Sequence, residues 1–288
     1  MAIAAAGTYP LAGGTVHRLG FGAMQLAGPR AFGGPADRGE ALAVLRRAAE
    51  LGVDHIDTAQ YYGPAIVNEL IREALSPYPE ELAIVSKVGS RRDAEGRWLP
   101  AHTPRELRAG VEENLSSLGV SHLRAVNLRL GDDPDPGELD DQLAEMVALR
   151  DQGLIDQIGL SNVSLDTFAR VSAGIEVACV QNAFHLGDRT ALPLIAACAT
   201  RHIPFVPFNP LGSSNARRNI VAMPELVAQA SRLGVSPAQL ALAWLLGLSD
   251  NVAVIPGTKS LAHLEDNVAA AAVVLDDEAS TALGAPPG

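Results

Sequence analysis

Short apolar runs of strand character alternate along the chain with longer stretches whose apolar residues recur every three or four positions, the pattern of successive βα units. Eight runs read as strands: Leu19–Gly22, His55–Asp57, Ala83–Lys87, Ala125–Leu130, Gln157–Ser161, Val177–Asn182, Pro204–Phe208 and Val252–Pro256. A helical candidate follows each. Ahead of them, Tyr9–Leu11 and Val16–Arg18 flank Gly13-Gly14, which predicts a small hairpin closing one end of the molecule. Thr103-Pro104-Arg105-Glu106 and Ser236-Pro237-Ala238-Gln239 each combine an N-cap hydroxyl, a proline at the first helical position and a capping-box acceptor three residues on. Between Arg38 and Leu51, Leu42, Leu45 and Ala49 fall on one helical face, with Arg46, Arg47 and Glu50 opposite, and Gly52 ends the helix.

Eight alternating units in 288 residues predict an α/β fold, a (β/α)8 TIM barrel with an N-terminal β-hairpin, as one domain over residues 1–288. Asp132–Gly137 and Gly212–Arg218 read as polar loops. The competing doubly wound sheet requires a phosphate-binding glycine loop after its first strand. Gly20-Phe21-Gly22-Ala23-Met24-Gln25 begins like that fingerprint, but glutamine stands in its last place and no helix opens until about Arg38. The doubly wound reading is set aside.

Composition narrows the partners. Hydrophobic residues make up 48% and charged residues 19%, enough for a sizeable core, and 22 basic against 33 acidic side chains leave a net charge of −11. Such a chain repels nucleic acid in general. Cys179 and Cys198 lie in apolar runs with no histidine at ligand spacing, so neither a disulfide framework nor a metal site is expected, and a reducing cytoplasm fits best. The longest uncharged stretch, Leu233 to Ser249, is broken by Ser236, Pro237 and Gln239 and is too short for a membrane span. The apolar start Met1–Ala6 lacks the basic residues and longer hydrophobic centre of a secretory signal.

In a barrel, side chains at the C-terminal strand ends converge on one face, and chemistry is expected there. The second strand ends in Asp57, followed by Thr58-Ala59-Gln60-Tyr61-Tyr62-Gly63; the third ends in Ser86-Lys87. A carboxylate and a lysine on neighbouring parallel strands can pair, and the ammonium can lower the pKa of a phenol nearby. Taken singly, Asp57 reads equally as a helix cap and Lys87 as a structural ion-pair partner.

With these residues the chain resembles the aldo-keto reductases, whose second strand ends in Asp-Thr-Ala-x-x-Tyr-Gly and whose third ends in a catalytic lysine. The matching segment is Asp57-Thr58-Ala59-Gln60-Tyr61-Tyr62-Gly63. The resemblance implies reduction of an aldehyde or ketone with NADPH/NADP+, Tyr62 as proton donor, Lys87 tuning it, and Asp57 holding Lys87 while touching the nicotinamide ribose. It runs through Leu19-Gly20-Phe21-Gly22, Ile158-Gly159-Leu160-Ser161-Asn162, Val180-Gln181-Asn182, Pro207-Phe208-Asn209-Pro210-Leu211-Gly212 and Ile255-Pro256-Gly257-Thr258-Lys259-Ser260, and so across essentially the whole chain. Ser161, Asn162 and Gln181 resemble the family's nicotinamide clamp, although Ser161 and Asn162 also read as caps of the next helix. Phe208 stands where the family stacks an aromatic ring on the nicotinamide; without the resemblance it reads as core. Gly257-Thr258-Lys259-Ser260 resembles the site for the adenosine 2′-phosphate, favouring NADP over NAD, with His263, Asp266 and Asn267 toward adenine. Gly212, Ser213 and Ser214 are placed over the pyrophosphate, while Arg217 and Arg218 read either as phosphate contacts or as a solvated loop. Gly22, Ala23, Met24, Asn127, Asn209, Pro210, Leu211 and Ile255 complete the expected cofactor contacts.

One departure is explicit. Where many members carry a histidine at the end of the fourth strand, this chain reads Ala125-Val126-Asn127-Leu128-Arg129-Leu130, with Arg129 at the histidine position. A guanidinium cannot act as a neutral imidazole, but it donates hydrogen bonds to a carbonyl or an anionic group. That run, with Gly22-Ala23-Met24-Gln25-Leu26-Ala27-Gly28-Pro29, resembles a bacterial branch that includes pyridoxal reductases, which makes a pyridoxal-like aromatic aldehyde a candidate substrate. Two further readings stay open: an NADPH-binding regulatory subunit of low turnover, and a sugar-modifying enzyme that cycles its cofactor. Substrate choice is assigned to the loops Pro29–Ala36, Gly89–Ala101 and Asp132–Gly137; oligomeric state is left open.

Overall fold

The computed structural model describes residues 2–11, 13–131, 134–212 and 214–284, with the side chains of 214–216 excepted. Ser213, the side chain of Ser214, and Asp132 and Asp133 of the predicted polar loop therefore lie outside the described residues.

The hairpin forms as expected, β1 (Thr8–Leu11) pairing antiparallel with β2 (Gly14–His17). Six parallel strands follow: β3 (Phe21–Gly22), β4 (His55–Asp57), β5 (Ala83–Val88), then, after an antiparallel ribbon of β6 (Ser90–Arg92) and β7 (Trp98–Pro100), β8 (Leu123–Arg129), β9 (Ile155–Ser161) and β10 (Val177–Gln181). They lie side by side in chain order. The seventh and eighth predicted strands are reduced to isolated bridges, Phe205 to both Val180 and Val252, Phe208 to Ala183, and Val254 to Leu19. Pro204 and Pro207 in the seventh and Pro256 in the eighth each lack the N–H a ladder needs. The ring nevertheless closes: Val206 N donates to Val180 O at 2.8 Å, Ala253 N to Phe205 O at 3.0 Å and Gly20 N to Val254 O at 2.8 Å.

At that seam the glycines find their use. A Cβ on Gly22 would lie 2.5 Å from the Ile255 carbonyl oxygen, and one on Gly257 would lie 2.3 Å from the Gly22 carbonyl oxygen. The fingerprint-like glycines thus let backbones touch, and no helix of a doubly wound unit follows them; a short 3₁₀ turn, Ala23–Leu26, does.

Helices α1 (Arg38–Glu50), α2 (Ile66–Leu75), α3 (Pro104–Leu118), α4 (Pro136–Asp151), α5 (Leu165–Val171) and α6 (Leu192–Ala199) alternate with the strands; α7 (Ser214–Val221), α8 (Pro224–Leu233) and α9 (Pro237–Leu246) precede the last bridge, and α10 (Leu261–Ala269) and α11 (Asp277–Ala282) end the chain. Both expected capping boxes, Thr103 with Glu106 and Ser236 with Gln239, are present. Four expectations shift. Ala48, not Ala49, completes the buried face of α1, since Ala41, Leu45 and Ala48 share the i, i+4, i+7 stripe. Two predicted loops contain structure: most of Gly212–Arg218 falls in α7, whose polar sequence hides its period, and Gly89–Ala101 contains the β6–β7 ribbon. The other polar loop, Asp132–Gly137, is cut short where Asp135 caps α4.

The hairpin stoppers the N-terminal end of the barrel. Tyr9, Leu11 and Val16 pack into the interior with Val85, Ala125, Cys179, Val206, Ala253 and Ile255, and Tyr9 Oη shares a 2.9 Å hydrogen bond with His55 Nδ1. A larger cluster fills the space between strands and helices and includes Trp244, Phe184 and Phe205. No helix among the described residues is long and apolar enough to cross a membrane.

Candidate active site

Strand register brings the polar strand ends together. Gly22 pairs with Asp57, Lys87 with Asn127, Arg129 with Ser161, and Ser161 with Gln181, so one rim collects residues far apart in sequence. Lys87 Nζ donates to Asp57 Oδ1, forming an ion pair, and to the Thr58 carbonyl at 3.0 Å. Gln181 Nε2 donates to Asp57 Oδ2 at 2.7 Å. Asp57 and Lys87 are both 3% exposed. The helix-cap reading of Asp57 does not hold: Ala65, in the left-handed region at φ 61°, precedes α2.

Tyr62 stands beside this pair, with Lys87 Nζ 5.1 Å from its ring centroid. Burial, and after it the charge of Asp57, pushes the Tyr62 phenol well above its ordinary 10, while Arg129 pulls it back in part. The Lys87 ammonium, expected to lower this phenol, is bound to Asp57 while standing beside the ring, and Arg129 is a further cation that acts on Tyr62. The neighbouring Tyr61 packs edge-on against both Tyr62 and Trp98, at 5.4 Å between centroids in each case. Its hydroxyl is buried and has no partner.

These groups line one cavity of about 310 Å³. Asp57, Tyr62, Lys87, Arg129 and Gln181 line it with charged and polar groups; Gly22, Met24, Phe208, Asn209, Pro210, Leu211, Gly212, Ile255 and Gly257 are the other expected residues that line it. Phe208 is half-buried there, under the Arg129 guanidinium at 5.6 Å, and is not a core residue. Gln25, Tyr61, Trp98, Arg217 and Pro256 also line it.

Ala23, Asn127, Ser161, Asn162, Thr258, Lys259, Ser260, His263, Asp266 and Asn267 do not line this cavity. Among them, Asn127 and Ser161 are buried on the adjoining strands. Ser161 Oγ, Gln181 Oε1 and Asn127 Nδ2 are buried without partners, and a Cβ on Gly159 would fall 2.0 Å from Asn127 Oδ1, so that glycine makes room for the amide. A hydroxyl, an acceptor and an amide donor on adjacent strands fit a primary carboxamide such as that of nicotinamide. The capping alternative fails here too, because Ser164 caps α5, accepting from Thr167 N at 3.1 Å; Asn162 Nδ2 donates to Leu130 O at 3.1 Å.

The remaining expected residues lie at the start of α10. Thr258 Oγ1 accepts from Ser260 N at 3.1 Å, Ser260 Oγ caps the helix, and Lys259 and His263 are exposed. Asp266 accepts from the Ser236 hydroxyl at 2.8 Å, and Asn267 is buried. A hydroxyl cap, a helix N-terminus and a lysine suit a phosphate.

Behind the ion pair runs a buried polar ladder that sequence reasoning missed. Thr58 Oγ1 donates to Asn68 Oδ1 at 2.7 Å, Asn68 Nδ2 to Asn114 Oδ1 at 2.9 Å, and Ser86 Oγ to Asn114 Oδ1 at 2.5 Å. The signal was there: Asn68 and Asn114 occupy the apolar stripes of α2 and α3.

Comparison with known proteins agrees with this geometry. The chain is 44% identical over 280 residues to pyridoxine 4-dehydrogenase of Escherichia coli (strain K12), covering 96% of both. Among solved structures, an aldo/keto reductase from Klebsiella pneumoniae in complex with NADP and acetate superposes with a TM-score of 0.80 at 25% identity, covering 96% of this chain and 93% of that one. The thermostable aldo-keto reductase Tm1743, in complex with the inhibitor epalrestat, gives 0.81 at 26% identity, over 96% and 98%. The sequence pattern of the Aldo/keto reductase family matches residues 18–285, from the first barrel strand to the last helix. A barrel whose strand ends carry the expected phenol, ammonium and carboxylate, and whose sequence matches along nearly its full length, belongs to the aldo/keto reductase family.

Proposed function

We propose that this chain, as one barrel domain, is an NADP(H)-dependent oxidoreductase that interconverts a small aldehyde or ketone and its alcohol, with a pyridoxal-like aromatic aldehyde as candidate substrate. The observation that carries the reading is Tyr62 beside the Asp57–Lys87 pair in a cavity next to three unpartnered polar groups. The E. coli relative named for pyridoxine and the Klebsiella structure named for NADP support substrate and cofactor respectively.

When bound, the cofactor supplies or accepts hydride at its nicotinamide. Ser161, Gln181 and Asn127 would hold the carboxamide, Phe208 would offer a ring face, and Thr258, Lys259 and Ser260 would take the 2′-phosphate. Tyr62 holds its proton because burial and Asp57 disfavour the phenolate, and it donates that proton to the carbonyl oxygen. As the proton leaves, Arg129 and Lys87 stabilise the oxyanion left on Tyr62. Asp57, with both oxygens bound, keeps Lys87 in place. The test is NADPH consumption with pyridoxal and a panel of aromatic aldehydes: turnover by the wild type and its loss in Tyr62→Phe are expected, and undiminished turnover in the variant removes Tyr62 from the role.

A further inference from the structure

The cavity wall carries three cations, Lys87, Arg129 and Arg217, against one carboxylate, Asp57, in a chain whose net charge is −11. Both oxygens of Asp57 are taken, by Lys87 and Gln181. Among the described residues neither Arg129 nor Arg217 pairs with an acidic side chain, whereas Arg47, Arg108, Arg170 and Arg232 each do so. A guanidinium keeps its charge at any physiological pH, and one drawn out of water without a counter-ion gains from any anion that reaches it. Arg217 sits on α7 and lines the cavity with Gly212. Arg129 sits at the reacting end: it lies over the Phe208 ring, and its charge acts on the phenols of both Tyr61 and Tyr62. Tyr61, only 3% exposed, has a buried hydroxyl with no partner and lines the same cavity.

We propose that Arg129 and Tyr61 form a subsite for an ionised oxygen that the substrate carries beside its reacting carbonyl. The inference rests on the oxidoreductase reading and deepens it: the preferred substrates are small aromatic carbonyl compounds bearing a carboxylate or a phenolate. Guanidinium N–H groups and a phenol O–H both donate to such an oxygen, and neither has to leave an existing carboxylate partner to do so. The flat faces of Tyr61, Trp98 and Phe208 suit an aromatic skeleton.

Two probe pairs separate the sources of the anion. 3-Carboxybenzaldehyde is compared with its uncharged methyl ester, and 2-hydroxybenzaldehyde with 2-methoxybenzaldehyde as pH rises through ionisation of the phenol. A charge-assisted bond predicts kcat/KM about 10-fold or more in favour of the charged member of at least one pair. In Arg129→Gln that ratio falls to near one, and in Tyr61→Phe it falls several-fold. Benzoate binding, read by quenching of Trp98 fluorescence, requires no turnover and weakens about 10-fold in Arg129→Gln. Equal kcat/KM within both pairs, or benzoate binding unchanged in Arg129→Gln, overturns the proposal. If no aldehyde is turned over while benzoate binding still depends on Arg129, the subsite stands and the oxidoreductase reading falls.

Discussion

Gln181 Nε2 donates to Asp57 Oδ2 at 2.7 Å across 124 positions of sequence, joining β10 to β4 through the barrel interior. With Lys87 on the other oxygen, the carboxylate is clamped from two sides. It cannot turn without breaking a buried bond, and that fixes the ammonium beneath Tyr62.

Breaking the clamp is therefore expected to cost both stability and rate. Lys87→Met strands Asp57 as a buried charge, for which about 3–5 kcal/mol of destabilisation is typical. Urea unfolding measures the first loss and NADPH oxidation the second; a stable variant with normal turnover would show the pair to be dispensable.

Tyr62→Phe removes only the hydroxyl. Carbonyl reduction is expected to fall by roughly 10²–10⁴-fold, while NADPH binding, followed by fluorescence, persists. Since the folded protein holds this phenol above its ordinary 10, the reducing direction keeps its proton donor across the neutral range. Alcohol oxidation, which needs the proton gone, should instead speed up as pH rises.

Ser161→Ala separates binding from folding. Its hydroxyl is buried and bonds nothing, so its removal should leave thermal stability equal or slightly higher, because an unpartnered polar group is lost. NADPH affinity is expected to fall several-fold, as measured by titration calorimetry; unchanged affinity would remove Ser161 from the carboxamide site.

Burial depresses the His55 imidazole from its ordinary 6.5 to about 4, only partly offset by Asp57 and Asp54. A depressed folded pKa means that the neutral ring's contribution is complete above about 6.5 and is lost as pH falls through about 4, on the order of 3 kcal/mol in all. Urea midpoints of the wild type and His55→Gln should converge as pH drops over that window. A constant difference would show that His55 does not titrate with unfolding.

The barrel and its rim were legible in the sequence for distinct reasons. Alternating periods mark βα units whatever their company, and Asp57, Tyr62 and Lys87 sit at strand ends, where position alone implies convergence. The last two staves were overcalled because apolar content is visible in Pro204–Phe208 while the missing N–H groups of its prolines act only through the ladder. The α7 helix was missed because its residues are polar, leaving no apolar stripe to read. Asn68 and Asn114 escaped for the opposite reason: helical patterning invites every position on a buried stripe to be read as apolar, and two amides that satisfy one another there become visible only in three dimensions.

Among the described residues, the hairpin stoppers the barrel interior at the end away from the strand ends that carry Asp57 and Lys87. An occupant that settles against Tyr62 and Asp57 beneath another is therefore expected to come in first and to leave last. The order of traffic is thus written into the plug at the far end, through Tyr9, Leu11 and Val16, residues that never meet the visitors they queue.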